Sequence, residues 1–182
     1  MNKNIPNSTK VVVVGGGVIG CSVADHLTKY GWKDVVLLER DQLTSGTTWH
    51  AAGLVSQLGP TAAVTKIRKY TLDLYKKLEK EVDHSAGLRI NGALSVAQTN
   101  ARWQELQRQA TTAQLYDVDI KILDKNQIKK NYPIMYTDDL KGGVLMPGDG
   151  AADPSGVTHM LAKGARLGGA KIYEQSPVET IL

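Results

Sequence analysis

Residues 11–20 read VVVVGGGVIG, and no other stretch restricts the fold of this 182-residue chain so strongly. Four β-branched residues in a row favour a strand. With no polar position among them, that strand is expected to be buried on both faces, as in a parallel sheet. Gly15, Gly17 and Gly20 then follow the spacing G-x-G-x-x-G. Between a strand and a helix, the first glycine permits the tight turn and the second lets backbone approach a pyrophosphate. The third lets helix and strand pack closely. The N–H groups at the helix start hold the anion. Val18–Tyr30 has apolar residues at 19, 23, 24 and 27, a helical spacing, and Gly31 supplies the stop. Val35–Leu38, VVLL, is a second buried strand, and Glu39 follows it 19 residues after Gly20. A carboxylate there accepts hydrogen bonds from ribose hydroxyls and disfavours a 2′-phosphate. The segment is one βαβ unit with a right-handed crossover. The alternative is a tight turn with no ligand and a surface glutamate. The glycine spacing does not separate NAD from FAD.

Beyond this unit the chain alternates further. Asp41–Pro60 is a loop rich in Gly, Ser, Thr and Ala. Val64–Val82 is expected to be a helix with Ile67, Leu74, Leu78 and Val82 on one side and lysines on the other. Two short strands are expected within Gly87–Ala97, then a helix over Ala101–Tyr116 and a strand over Ile120–Leu123. A helix over Lys125–Asn131 ends before Pro133, and Gly143–Met146 is a strand. Residues 147–156, PGDGAADPSG, carry turn formers at nearly every position. Asp153 caps the helix that runs to Leu167, with Pro154 at its first position. Ala170–Tyr173 and Val178–Leu182 close the chain as strands. A strand at the very end suggests the front portion of a longer protein.

Composition excludes several classes. The longest apolar run near the start is too short for the ~20 residues of a membrane helix, and MNKNIPNSTK at the start lacks a secretory core. One cysteine, Cys21, rules out a disulfide scaffold or a multi-cysteine metal site, and suits a reducing cytoplasm. The net charge of +4 is spread along helices, which reads as solvated faces and not a nucleic-acid footprint. His26, His84 and His159 have no metal-ligand spacing, so no metal is expected. Cys21, Trp32 and Trp103 read as packing residues, and Asp149 and Asp153 as loop and cap residues.

Residues 44–54, TSGTTWHAAGL, hold the remaining chemical information. Ser45, Thr47 and Thr48 offer hydroxyls suited to a pyrophosphate or polyol chain. Trp49 and His50 suit a flat ring, and Ala51, Ala52 and Gly53 leave room for it. Together with VVLLER at 35–40, NGALSVA at 91–97, NYPIM at 131–135 and GDGAADP at 148–154, this segment resembles the sarcosine and dimethylglycine dehydrogenases. These belong to the D-amino-acid-oxidase-like FAD-dependent oxidoreductases. The likeness runs from Lys10 onward.

The resemblance implies an α/β fold: a Rossmann-type FAD-binding domain with the start of an antiparallel substrate domain inserted. The implied segments are 1–87 and 148–182 for FAD binding and 88–147 for the substrate domain. It implies FAD contacts at Gly15, Gly17, Val18, Ile19, Gly20, Glu39, Arg40, Ser45, Thr47, Thr48, Trp49, His50, Leu54 and Val178. Val18, Ile19 and Val178 would act through backbone. In such enzymes the histidine of this motif is bonded to the flavin 8α-methyl carbon, which makes His50 the attachment residue. The implied reaction is oxidation of a small N-methyl amino acid, sarcosine or dimethylglycine, with hydride passing to flavin N5. An electron-acceptor protein and a folate, bound by a later domain, are implied partners; no nucleic acid and no membrane are expected. Catalytic proton-transfer residues are not identified. The compartment is cytoplasmic or the mitochondrial matrix. A non-catalytic regulatory subunit of the pyruvate dehydrogenase phosphatase type and a plain dinucleotide-binding module are the alternatives. An isolated piece of this length is expected to be inactive.

Overall fold

The structure, a computed structural model, describes residues 4–181. Its elements are β1 (Val11–Val14), α1 (Val18–Lys29), β2 (Val35–Leu38), a 3-10 turn (Thr48–His50), β3 (Leu54–Val55) and α2 (Ala62–Glu81). β4 (Ala93–Ala97), α3 (Asn100–Gln114), β5 (Lys121–Leu123), α4 (Lys125–Asn131) and β6 (Gly142–Met146) follow. β7 (Gly150–Ala151), α5 (Pro154–Leu167) and β8 (Lys171–Tyr173) complete the order. Two compact units result. The first runs to Gly53 and takes in Leu74–Leu88 and the described residues from Ala152 onward; the second is Leu54–Asp73 with Arg89–Ala151. These units differ from the segments 1–87, 88–147 and 148–182 at 54–73, 88 and 148–151. The cause is an antiparallel pair that the turn-rich sequence conceals: β3 and β7 join Leu54 to Ala151 and Val55 to Gly150.

In the first unit β1, β2 and β8 form a parallel sheet in that order, with Val11 opposite Val35 and Val36 opposite Lys171. Helix α1 is the crossover between β1 and β2, as the glycine-loop reading requires. Leu37, Cys21, Ala24, Leu78, Met160 and Leu161 form the core. Helices α1 and α5 approach closely because two α5-side positions lack side chains. A Cβ on Gly164 would overlap Asp25 Oδ1, and one on Gly168 would overlap Thr28. This contact favours small residues and turns α1 away from its expected face. Cys21, Ala24 and Asp25 are buried, whereas Ile19 and Val23 are 78% and 44% exposed. Asp25 is charge-paired with Lys29 at 2.8 Å.

Three other expectations are corrected here. Strand β1 is not buried on both faces: Val11 and Val13 pack on the core, but Val12 and Val14 are exposed. The strand sits at the edge of the described sheet, with β2 as its one strand neighbour there. Trp32 does not pack, because Gly31 (φ 89°) turns the chain out beyond α1 and leaves the indole exposed. The strand expected over Val178–Leu182 is absent over 178–181, and Leu182 lies outside the described residues. Gln175, at φ 50°, turns the chain, and the Ser176 N–H donates to the Glu39 carbonyl at 2.7 Å. Residues 175–176 therefore cap the end of β2 instead of extending the sheet.

In the second unit β6 lies between β4 and β5, antiparallel to both. Ala97, Leu106, Ala110 and Val144 pack α3 against this sheet, and Leu123, Ile128 and Leu140 form a second cluster beneath α4. Trp103 packs as expected, over Gly142, where a Cβ would strike its ring. One strand, not two, lies within 87–97, since Arg89 makes only an isolated bridge to Ala151. Ile67, expected inward, is exposed. Asp124 and Gln127 form a reciprocal capping box at α4, which terminates the preceding strand and starts the helix.

Asp149 is buried in this unit. Its Oδ1 accepts the Gln57 N–H at 2.9 Å, while Oδ2 has no partner among the described residues. Burial pushes this carboxyl above the usual carboxylate range, against the Gln57 hydrogen bonds and the nearby Arg68 charge. The native state therefore binds its proton more tightly than the unfolded chain does. The stabilisation from the protonated form is present below the unfolded pKa and is lost as pH rises through the folded one. An Asp149→Asn variant is expected to be more stable than wild type at neutral pH and to lose this part of the pH slope. Urea midpoints at pH 4 and pH 7 check this. A variant less stable at pH 7 would show that the ionised carboxylate is the form the fold requires.

Candidate functional site

The first unit brings the glycine turn, Glu39 and the histidine turn to one place, at the end of β1 and β2. Gly15 adopts φ 105° and its N–H donates to the Leu38 carbonyl at 2.8 Å. The bend thereby crosses from β1 over the end of β2, in a conformation open to glycine. A Cβ at Gly15 would meet no atom within 4 Å, so the turn faces open space. At Gly20 it would overlap the Gly15 carbonyl oxygen, which is why helix and turn can touch only with glycine there. Cys21 is the first α1 residue to bond back to the turn, to the Gly17 carbonyl. The amides before it are the donors that every helix start leaves over.

Glu39 anchors this turn from the side. Its Oε2 accepts the Gly16 N–H at 2.6 Å, and its Oε1 accepts the Asp41 N–H at 2.9 Å. Each oxygen retains acceptor capacity for a further donor. Gly16 is buried, and a Cβ on it would strike Leu43 and Glu39. The fingerprint spacing treats this position as variable, so its role is not legible there; the only signal is a fourth glycine inside the motif. Cys21 Sγ donates to the Gly16 carbonyl at 3.7 Å. Burial pushes its thiol up to about 12, so it stays protonated and serves as packing.

The 41–53 loop folds back on the turn. The Thr44 N–H donates to the Gly16 carbonyl at 3.2 Å, and Thr44 holds φ 72°, a strained value for a β-branched residue. Thr48 is buried, and its Oγ1 accepts the Val18 N–H at 3.1 Å. The 3-10 turn presents Trp49 and His50 outward, with ring centroids 3.8 Å apart and planes tilted by 32°. Ser45 and Thr47 are exposed on the same loop. The structure does not gather every expected residue. Arg40 is exposed and paired with Asp41 at 3.3 Å. Leu54 belongs to the second unit and is exposed, as is Val178 in its irregular segment. Among the described residues no group of three or more His, Cys, Asp or Glu is placed to hold a metal. No described helix is long and apolar enough to cross a membrane.

A family profile described as FAD dependent oxidoreductase (DAO) matches residues 10–182. The chain belongs to that family. Its cofactor is FAD, which resolves the choice between dinucleotides that the glycine spacing left open. Human mitochondrial sarcosine dehydrogenase is 39% identical over 181 residues, covering 99% of this chain and 20% of its own length. Human mitochondrial dimethylglycine dehydrogenase is 37% identical over 172 residues, covering 94% and 20%. The chain thus spans about a fifth of the length of these curated relatives. The crystal structure of L-proline dehydrogenase from P. horikoshii superposes with a TM-score of 0.90 at 26% identity, over 98% of this chain and 47% of that one.

The residues present suit the diphosphate and ribose part of FAD. The open turn at Gly15 and the helix-start amides are a receptor for an anion. Glu39 is held by backbone amides with acceptor capacity to spare for ribose hydroxyls.

Proposed function

We propose that this chain contributes the FAD-holding part of an enzyme that oxidises a small N-methyl amino acid, sarcosine or dimethylglycine, with the flavin tethered through His50. The docking of the Thr48–His50 turn on the helix start that receives the diphosphate carries this reading. A histidine fixed beside that receptor lies within reach of one bound FAD. The two named dehydrogenase relatives supply the substrate class.

Each residue has a part in this arrangement. Gly15, Gly17 and Gly20 shape the turn, with Ile19 contributing its backbone amide while the Val18 N–H is held by Thr48. Glu39 accepts from the ribose. Ser45 and Thr47 offer exposed hydroxyls along the same loop, and Trp49 and His50 line the ring side. Arg40, Leu54 and Val178 are assigned to the FAD environment by the family likeness alone. FAD supplies the two-electron oxidation of the N-methyl group. In the tether His50 would give up its imidazole N–H and bond to the ring methyl carbon in place of one C–H; the two protons and two electrons released would pass to dioxygen, giving hydrogen peroxide. An electron-acceptor protein and a folate are the proposed partners of turnover, and a mitochondrial matrix location accords with the relatives' names.

Anaerobic mixing of the native flavoprotein with sarcosine, dimethylglycine or glycine tests the substrate class. Bleaching of the flavin band by the N-methyl compounds, and at least about tenfold more slowly by glycine, is the expected result. That ratio is a difference of about 1.4 kcal/mol in barrier. Equal rates with all three, or none with any, would discard the assignment.

A further inference from the structure

We propose that Thr48 is a positioning residue: its hydroxyl latches the histidine turn to the first amide of α1, so that the diphosphate receptor and His50 move as one body. This rests on the tethering role of His50 proposed above.

Three observations converge on it. Thr48 is buried, although the residues on either side of it, Thr47 and Trp49, are exposed, so its side chain points inward to the protein. Its Oγ1 accepts the Val18 N–H across 30 residues of chain, at 3.1 Å. Val18 is the first residue of α1, and its amide is one of the donors that a helix start leaves without an internal partner. The N-terminal cap position, Gly17, offers no side chain to any of these donors, and a residue next to Val18 in the chain would not reach its amide. The cap is supplied instead from the distant loop. Gly17 also makes the latch possible, since a Cβ there would lie 3.0 Å from Thr48 Oγ1. Gly17 has φ −78°, so its backbone conformation does not call for glycine. Its small size leaves room for Thr48.

The consequence falls on His50. The Ala51 N–H donates to the Thr48 carbonyl and the His50 N–H to the Thr47 carbonyl, so the turn is short and internally bonded. Its direction relative to α1 then depends on how Thr48 is held. The Trp49 ring, 3.8 Å from the imidazole, restrains rotation of the His50 side chain. Joining an imidazole nitrogen to a ring methyl carbon requires the two atoms in one geometry, and rate falls with the population that meets it.

Thr48→Val keeps the shape and removes the acceptor, whereas Thr48→Ser keeps the acceptor. Both are prepared as flavin-loaded protein beside wild type, and three quantities are read: total bound flavin, the acid-stable fraction against time, and hydrogen exchange at the Val18 amide. Thr48→Val is expected to slow the appearance of acid-stable flavin about fivefold and to speed Val18 exchange about as much, the factor that one neutral hydrogen bond is worth. Thr48→Ser is expected to restore both. Unchanged tethering in Thr48→Val, or slow tethering that serine does not rescue, overturns the positioning role. So does a loss of total flavin in step with the acid-stable fraction, which marks a packing residue. Wild type without acid-stable flavin overturns the tether and this role with it, whereas the former outcomes leave the tether standing.

Discussion

In the His50→Ala protein all flavin is expected to leave on acid denaturation, whereas wild type is expected to keep it in the washed pellet. The effect is all or none because a single C–N bond separates the two states. Alanine should not disturb the fold. His50 is exposed and its side chain has no hydrogen bond among the described residues; its ring contact is to Trp49. Such surface changes fall within about 0.5 kcal/mol. The turn itself is held by Thr48 and by backbone bonds that alanine retains. In-gel fluorescence after acid precipitation reads the outcome, with a thermal melt as the control for folding. Acid-stable flavin in the variant would assign the attachment to another residue.

A Gly20→Ala change is expected to lower stability by about 3 kcal/mol, toward the upper end of overpacking costs. Alanine at a helical glycine would ordinarily gain about 1 kcal/mol. Here the new methyl group meets the Gly15 carbonyl oxygen, a backbone atom that cannot swing aside. Helix α1 must then shift from β1, and with it the amides that receive the diphosphate. Bound flavin should fall together with the urea midpoint. Gly46→Ala is the matched comparison, since a Cβ there meets no atom within 4 Å and Gly46 has no left-handed φ. Equal midpoints for the two variants would remove close helix–turn packing as the reason for the third glycine.

The parts legible in the sequence share one property: each depends on residues close together in the chain. The β1–turn–α1 unit, the second strand ending at Glu39 and the Asp153 cap with Pro154 at the start of α5 are local patterns. Strand, turn and cap preferences act over a few residues and survive in the folded chain. The motif at 44–54 is legible as chemistry, because hydroxyls, a histidine and small residues stand in the sequence itself.

What the sequence could not settle depends on contacts made across the fold. The exposed faces of α1 and β1 were misread because helical and strand periods locate an apolar side but not the partner that covers it. Helix α1 turned toward Asp25 because Gly164 and Gly168 permit a close approach from α5. The apolar chain after β8 has the pattern of a strand, but the Ser176 N–H bonds to the Glu39 carbonyl and ends the sheet there. The roles of Gly16 and Thr48 follow the same rule. Gly16 is small because Leu43 and Glu39 press on it, and Thr48 is buried because an amide 30 residues earlier lacks a cap. Sequence by itself determined which groups are available: a glycine turn, a carboxylate and a histidine loop. Only the tertiary structure decided which groups meet, because each hydrogen bond that joins them spans 23 to 30 residues and owes its geometry to the packing of α1 and β2 between them.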